Sequence, residues 1–242
     1  SSVSLSFQEP INTLRSIVEV TSNILESIKN INKNIKFYNA GSSECFGNMD
    51  KSPANETTPY SPTSPYAVAK TCSSNLVSCY RNAYDLQCCT GILFNHESPL
   101  RPYLFVTQKI ISTAHQISVG SKKKLELGRI DIIRDWGWAP DYVKAMYLML
   151  QRENPEDFVI GTGKSVSLKY FVSRAFDYFG LNWEKHVIIN QKLFRPNDIM
   201  VSKSDPTHAK NVLGWSAKFD VDQVINEMCK NIQKNSPKYK TN

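Results

Sequence analysis

Apolar residues recur every three or four positions through Leu14, Ile17, Val18, Ile24, Leu25 and Ile28, with Arg15, Glu19 and Glu26 off that stripe. This spacing predicts an amphipathic helix over residues 11–30, packed on another layer. A short apolar run at 35–40 predicts a strand, and the small residues Gly41, Ser42 and Ser43 after it let the chain turn away from a sheet edge. A polar loop rich in Pro, Ser, Thr and Asn follows from 48 to 64. Ser64 as N-cap and Pro65 at the first helical position then open a helix that runs to about Tyr84. Residues 88–95 (CCTGILFN) form a second buried strand.

The second half reads as a helix over 106–119, a short strand at 125–127, a helix over 141–150, a buried strand at 158–160, an amphipathic helix over 167–179, a strand at 187–189 and a terminal helix over 221–232. There is no internal repeat, and the tail from 234 to 242 is polar. Strands alternating with helices point to an α/β fold with a parallel sheet. Two phosphate-binding patterns can be set aside. Gly161-Thr162-Gly163-Lys164-Ser165 ends like a P-loop, but Phe158 stands where the first glycine is needed. As a dinucleotide fingerprint it fails at Val166, where the third glycine would fall.

Composition narrows the class. The 242 residues are 41% hydrophobic and 21% charged, which suits one large domain or two modest ones and excludes wholesale disorder. No run of 18 apolar residues is present, so no membrane span is expected, and the first ten residues lack the layout of a secretory signal. The net charge of +7 is uneven: residues 1–100 carry −1 and residues 101–242 carry +8. Lys122, Lys123 and Lys124 form the one dense basic run, without interleaved aromatics, and read as a solvated turn; no nucleic-acid partner is expected. A few placed arginines for a diphosphate remain compatible with the charge. The six cysteines show no C-x-x-C pair and no His at zinc spacing, so no metal site is expected and the thiols read as free, in a reducing, cytoplasmic setting. Asn55-Glu56-Thr57 matches a glycosylation sequon that has no consequence without export.

The residues with chemical potential cluster between 40 and 70. Tyr66 and Lys70 lie four apart in the expected helix, so they rise from one face one turn apart. An ammonium there is expected to favour the phenolate and lower the tyrosine pKa, making Tyr66 a general acid/base. Ser42 and Glu44 lie just past the carboxyl end of a parallel strand, the edge where open α/β sheets bind ligands. A hydroxyl, a carboxylate and a Tyr/Lys pair together suit proton-coupled hydride chemistry.

Ser42 and Glu44 in AGSSECFG, followed by SPYAVAK at 64–70, resemble the active-site signature of the extended short-chain dehydrogenase/reductases. The blocks GILFNHESP (91–99), FVTQKI (105–110), RDWG (134–137), DYV (141–143), LFRP (193–196) and DPTHAKNVLGW (205–215) resemble one branch of them, the GDP-mannose 4,6-dehydratases, over nearly the whole chain. The resemblance implies a Rossmann-like doubly wound parallel sheet with a smaller α/β substrate domain, divided as 1–99 and 137–160 against 100–136 and 161–242. It implies a lyase with an internal NADP redox cycle acting on GDP-mannose. Tyr66, with Ser42 and Lys70, would take the proton of the sugar 4-hydroxyl as the C4 hydride passes to NADP⁺. Glu44 would abstract the C5 proton as water leaves from C6, and hydride would return to C6 to give GDP-4-keto-6-deoxymannose. Related dTDP-glucose dehydratases carry an Asp-Glu pair here, whereas Ser43 precedes Glu44, which would then serve both the deprotonation and the departing hydroxyl.

By the same resemblance Lys70, His96 and Arg101 would hold the cofactor, and Asn95, Lys109, Arg134 and Arg195 would face the sugar nucleotide, in a homo-oligomer that is a dimer or a tetramer. The family usually has a second arginine and a glycine where this chain has Leu100 and Pro102, a departure that touches the cofactor and subunit contacts. Ser1-Ser2-Val3 resembles the family segment just after the fourth strand. On that comparison the earlier βα units and their glycine-rich phosphate turn are not in this chain, which leaves the expected strand at 35–40 as a long, apolar, unpaired edge, weak NADP binding and no dehydratase activity by this chain alone as expectations. Two rival readings stand beside this one: another nucleotide-sugar epimerase or dehydratase, which Glu44 would separate, and a catalytically inactive sugar-nucleotide-binding remnant.

Overall fold

The computed structural model describes residues 3–235. In chain order the elements are α1 (Val3–Gln8), α2 (Pro10–Leu14), a π turn (Arg15–Glu19), α3 (Val20–Ile31), β1 (Phe37–Ala40), α4 (Pro65–Tyr84), β2 (Cys88–Leu93), β3 (Asn95–Glu97), α5 (Val106–Ser118), β4 (Leu125–Leu127), β5 (Ile133–Arg134), β6 (Trp136–Trp138), α6 (Ala139–Gln151), β7 (Phe158–Ile160), β8 (Val166–Ser167), α7 (Leu168–Tyr178), β9 (Val187–Ile189), α8 (Thr207–Leu213) and α9 (Val221–Asn235). The main sheet is parallel, in the order β1-β2-β7. Three two-stranded sheets accompany it: β3 with β6 and β4 with β9, both parallel, and β5 with β8, antiparallel. The expected α/β class with parallel strands is what the chain adopts.

The first long helix differs from its predicted face. Its buried positions are Thr13, Ile17, Thr21, Leu25 and Ile28, while Ile11 and Ile24 are exposed. Three successive spacings of four would drift off the core on a regular 3.6-residue helix, and the wider π turn takes up the drift. Thr21 is tolerated inside because its hydroxyl donates to Ile17 O at 2.7 Å. Ser64 caps α4 as expected, its Oγ accepting the Ala67 N–H at 3.1 Å.

Both strands read from the first hundred residues needed correction. The first begins at Phe37, so the sheet edge is four residues long, and its burial runs from half-buried Phe37 and Tyr38 to exposed Ala40. It is thus shorter than the long apolar edge expected. The second ends at Leu93; after Phe94 the chain leaves the main sheet, and Asn95–Glu97 pairs with β6 instead. At the opposite side of the main sheet, the middle N–H of β7, on Val159, is taken by the Glu56 carboxylate at 2.7 Å.

Burial follows the layers. Leu25, Ile28, Val77 and Leu86 fill the space between α3, α4 and the chain entering β2. Tyr142, Met149 and Phe158 pack with Ala209 and Trp215 on the other face of the main sheet. A further core joins α5, α7 and α9 through Ile110, Phe171, Phe176, Ile225 and Met228. No described helix is long and apolar enough to cross a membrane.

Candidate active site

The site begins where β1 ends. A side chain at Gly41 would place its Cβ 2.7 Å from Thr90 Cγ2 and 3.0 Å from Gly91 O, so glycine is required for the chain to leave the sheet while pressed against β2. Ser42 is extended and buried, and residues 43–46 form one turn of 3-10 helix that carries Glu44 to the same side; the Ser42 Oγ accepts the Glu44 N–H at 3.3 Å. From α4, Tyr66 comes close enough to Ser42 for that hydroxyl to draw its pKa down. Lys70, one turn on, donates to Ala40 O at 2.8 Å, with its Nζ 5.9 Å from the centroid of the Tyr66 ring. The structure therefore brings Ser42, Glu44, Tyr66 and Lys70 together at the carboxyl end of the parallel sheet.

The electrostatics correct one expectation. Tyr66 is not lowered towards neutrality: burial pushes it up to about 12, against the downward pull of Ser42 and of the nearby Arg101 charge. Burial also lowers Lys70, whose ammonium sits on a carbonyl and not on the phenol. Glu44 is raised above the usual carboxylate range by burial, with Arg134 and Arg195 drawing it down and Asp198 pushing it up. Arg134 is 5% exposed and its guanidinium is lowered by burial; its Nη1 donates to Ile133 O at 2.9 Å, and it forms no ion pair among the described residues. Arg195 instead faces Asp198, Nε to Oδ1 at 3.9 Å. A groove of about 780 Å³ opens beside this group, with Leu14, Pro65, Val68 and Asp198 among its lining residues.

The other expected site residues lie along β3 and α5. Asn95 starts β3, and its carbonyl accepts from Tyr142 at 3.4 Å. His96 Nδ1 is 2.9 Å from Phe94 O, and burial lowers its pKa, so the ring is neutral at physiological pH. Arg101 is engaged within the protein: Nε to Glu97 at 2.8 Å, Nη2 to His96 O at 2.5 Å, and the guanidinium 4.3 Å from the centroid of the Phe105 ring. Lys109 is not brought to the quartet; its Nζ donates to Glu126 O at 2.7 Å and ties α5 to β4. Three residues went unread in the sequence. Asp198 belongs to the charged group around Glu44, Glu97 holds Arg101 and Thr107, and Asp135 adjoins Arg134. For Glu97 the available signal was a carboxylate next to a buried apolar strand, and for Asp135 its place between an arginine and Trp-Gly-Trp.

Such an arrangement can polarise and deprotonate a secondary hydroxyl through Tyr66 and Ser42, remove a carbon acid proton with Glu44, and hold an anion on a buried arginine with free donors. Among known proteins, the profile of the GDP-mannose 4,6 dehydratase family matches residues 1–228. The chain belongs to that family. It is 44% identical over 232 residues to GDP-mannose 4,6 dehydratase 1 of Arabidopsis thaliana, covering 94% of this chain and 64% of the plant protein. The human GDP-mannose 4,6 dehydratase is 39% identical over 227 residues, covering 86% of this chain and 61% of that protein. The chain thus spans less than two thirds of the length of these family members. In fold it resembles a dTDP-glucose 4,6-dehydratase from Streptomyces venezuelae crystallised with NAD and TYD, at a TM-score of 0.88 and 18% identity over 97% of this chain and 71% of that one. It also resembles RMD from Pseudomonas aeruginosa complexed with NADPH, at a TM-score of 0.86 and 18% identity over 97% of this chain and 78% of that one.

Proposed function

We propose that this chain carries the catalytic and sugar-nucleotide-binding residues of a GDP-mannose 4,6-dehydratase, a lyase that uses NADP. The observation that carries the reading is the convergence of Ser42, Glu44, Tyr66 and Lys70 opposite the buried Arg134. The donor set fits a nicotinamide nucleotide: Lys70 of α4 brings its ammonium to the end of β1, and it, the neutral ring of His96 and the guanidinium of Arg101 would hold the cofactor. When bound, NADP supplies the acceptor for the hydride of C4 and the donor of hydride to C6. Tyr66, beside Ser42, would hold and then take the proton of the sugar 4-hydroxyl. With Tyr66 held near 12, proton transfer depends on charge arriving with the ligands. Glu44 would remove the proton at C5, acidified by the 4-keto group, and pass it to the departing C6 hydroxyl, because Ser43 offers no second carboxyl; the proton that Tyr66 took from the 4-hydroxyl then balances the one C5 regains as hydride returns to C6. Arg134 and Arg195 would hold the diphosphate, and Asn95 and Lys109 are assigned to the sugar nucleotide by family resemblance alone.

The reading includes the division into a cofactor part (1–99 and 137–160) and a substrate part (100–136 and 161–242), a homo-oligomer as the working assembly, and a cytoplasmic setting suited to six free cysteines. Calorimetric titration of the chain with GDP-mannose and with UDP-glucose tests it. Tighter binding of the guanosine sugar, weakened roughly tenfold or more in Arg134→Gln, is the expected result. A preference for the uridine sugar would overturn the substrate assignment.

A further inference from the structure

Asp135 is fully buried between Arg134 and β6, and the quartet does not use it. Its carboxylate accepts from four donors: Thr162 N–H at 3.0 Å, Thr162 Oγ1 at 2.7 Å, Gly163 N–H at 3.1 Å and Ser204 Oγ at 2.5 Å. Ser204 Oγ in turn accepts the Gly163 N–H at 3.1 Å. The glycine-rich turn that looks like the end of a phosphate loop therefore turns its amides on a carboxylate of the chain itself. A Cβ at Gly161 would lie 2.3 Å from Ser204 Oγ and 3.0 Å from Asp135 Oδ2, so the backbone after β7 is drawn tightly onto the knot.

Ser204 belongs to a strap that leads on from Arg195 and Asp198. On one side the strap is bonded to β5, with Ile133 N–H to Met200 O at 2.7 Å and Ser202 N–H to Ile133 O at 3.0 Å. On the other it is bonded to the loop that joins Glu44 to Tyr66, with Met49 N–H to Val201 O at 2.9 Å and Ala54 N–H to Lys203 O at 2.8 Å. Asp135 is where β5–β6, the turn after β7 and this strap meet. We infer that Asp135 is a positioning residue, whose carboxylate fixes Arg134 and the 195–198 segment relative to each other and so sets the charged wall that faces Glu44. The assignment rests on the functional reading above for its ligand, and on the hydrogen-bond geometry for the positioning itself. Asparagine cannot replace the carboxylate, because it offers one acceptor oxygen and aims an NH₂ at groups that are themselves donors.

The test compares the wild-type chain with Asp135→Asn and Ser204→Ala by amide hydrogen exchange and by titration with GDP-mannose. In Asp135→Asn, exchange at 195–204 should rise about tenfold or more while α5 and α9 stay protected. GDP-mannose binding should weaken by about tenfold or more in the same variant. Ser204→Ala, which removes one of the four donors and keeps the packing, should lie between in both measurements, and it carries the test if Asp135→Asn fails to fold. Unchanged exchange at 195–204 in both variants, or a rise spread evenly over the whole chain, would overturn the positioning role. If the wild-type chain shows no affinity for GDP-mannose, the functional reading falls, while the exchange contrast still decides what Asp135 does.

Discussion

The two sides of the cleft are built in different ways. The quartet comes from one strand end and one helix turn: Ser42 and Glu44 follow β1, and Tyr66 and Lys70 stand on the first turns of α4. The facing wall comes from distant segments, Arg134 on β5 and Arg195 with Asp198 before the strap, joined through Asp135 and Ser204. The first side inherits its geometry from backbone regularity. The second has to be assembled, and its precision depends on buried polar bonds such as that between Ser204 and Asp135, 69 residues apart in the chain.

That contrast can be broken most strongly on the quartet side. On the proposed function, Tyr66→Phe in an active dehydratase that carries this chain should lower turnover by roughly a thousandfold and abolish the reduced-cofactor absorbance that precedes dehydration, with stability little changed. Glu97→Ala should cost about 3 kcal/mol of stability in urea titration, because it leaves Arg101 and the Thr107 hydroxyl without their buried partner. The pH profile sharpens the comparison, since in its proposed role Glu44 must be ionised and burial raises its pKa. The acid limb of the rate should therefore lie above the ordinary glutamate range. Arg134 favours the ionised form, so Arg134→Gln should move that limb further up, and a limb moving down would contradict the proximity of the two groups. The smallest effect belongs to the helix itself: Ser64→Ala removes the N-cap of α4 and should cost about 1 kcal/mol in thermal unfolding while leaving the ligand affinity of the facing wall intact.

What the residue pattern disclosed follows the same division. The strands at 125–127, 158–160 and 187–189 and the long helices were legible because their apolar periodicity is local. Strands β5 and β8 have two residues each, and β3 (Asn-His-Glu) and β6 (Trp-Gly-Trp), although as long as the legible strands, lack their aliphatic pattern, so their existence depends on partners dozens of positions away and leaves almost no local trace. The Tyr66 and Lys70 spacing was visible, but not the direction of the tyrosine pKa. That direction depends on how deeply the phenol is buried and on Ala40 O capturing the ammonium, both set by tertiary packing. Arg134 was named through resemblance, whereas the carboxylate beside it gave no sign that it would fill the Gly161–Ser165 turn.

Glu56 gives the main sheet a direction. By occupying the middle amide of β7, a side chain does there what a neighbouring strand would otherwise do, and it carries no main chain that could extend the ladder. The other margin, β1, has its ladder bonds to β2 alone among the described residues. A further strand, from whatever chain, finds one berth on this sheet, and taking it would lay that strand alongside the very residues that lead into Ser42 and Glu44.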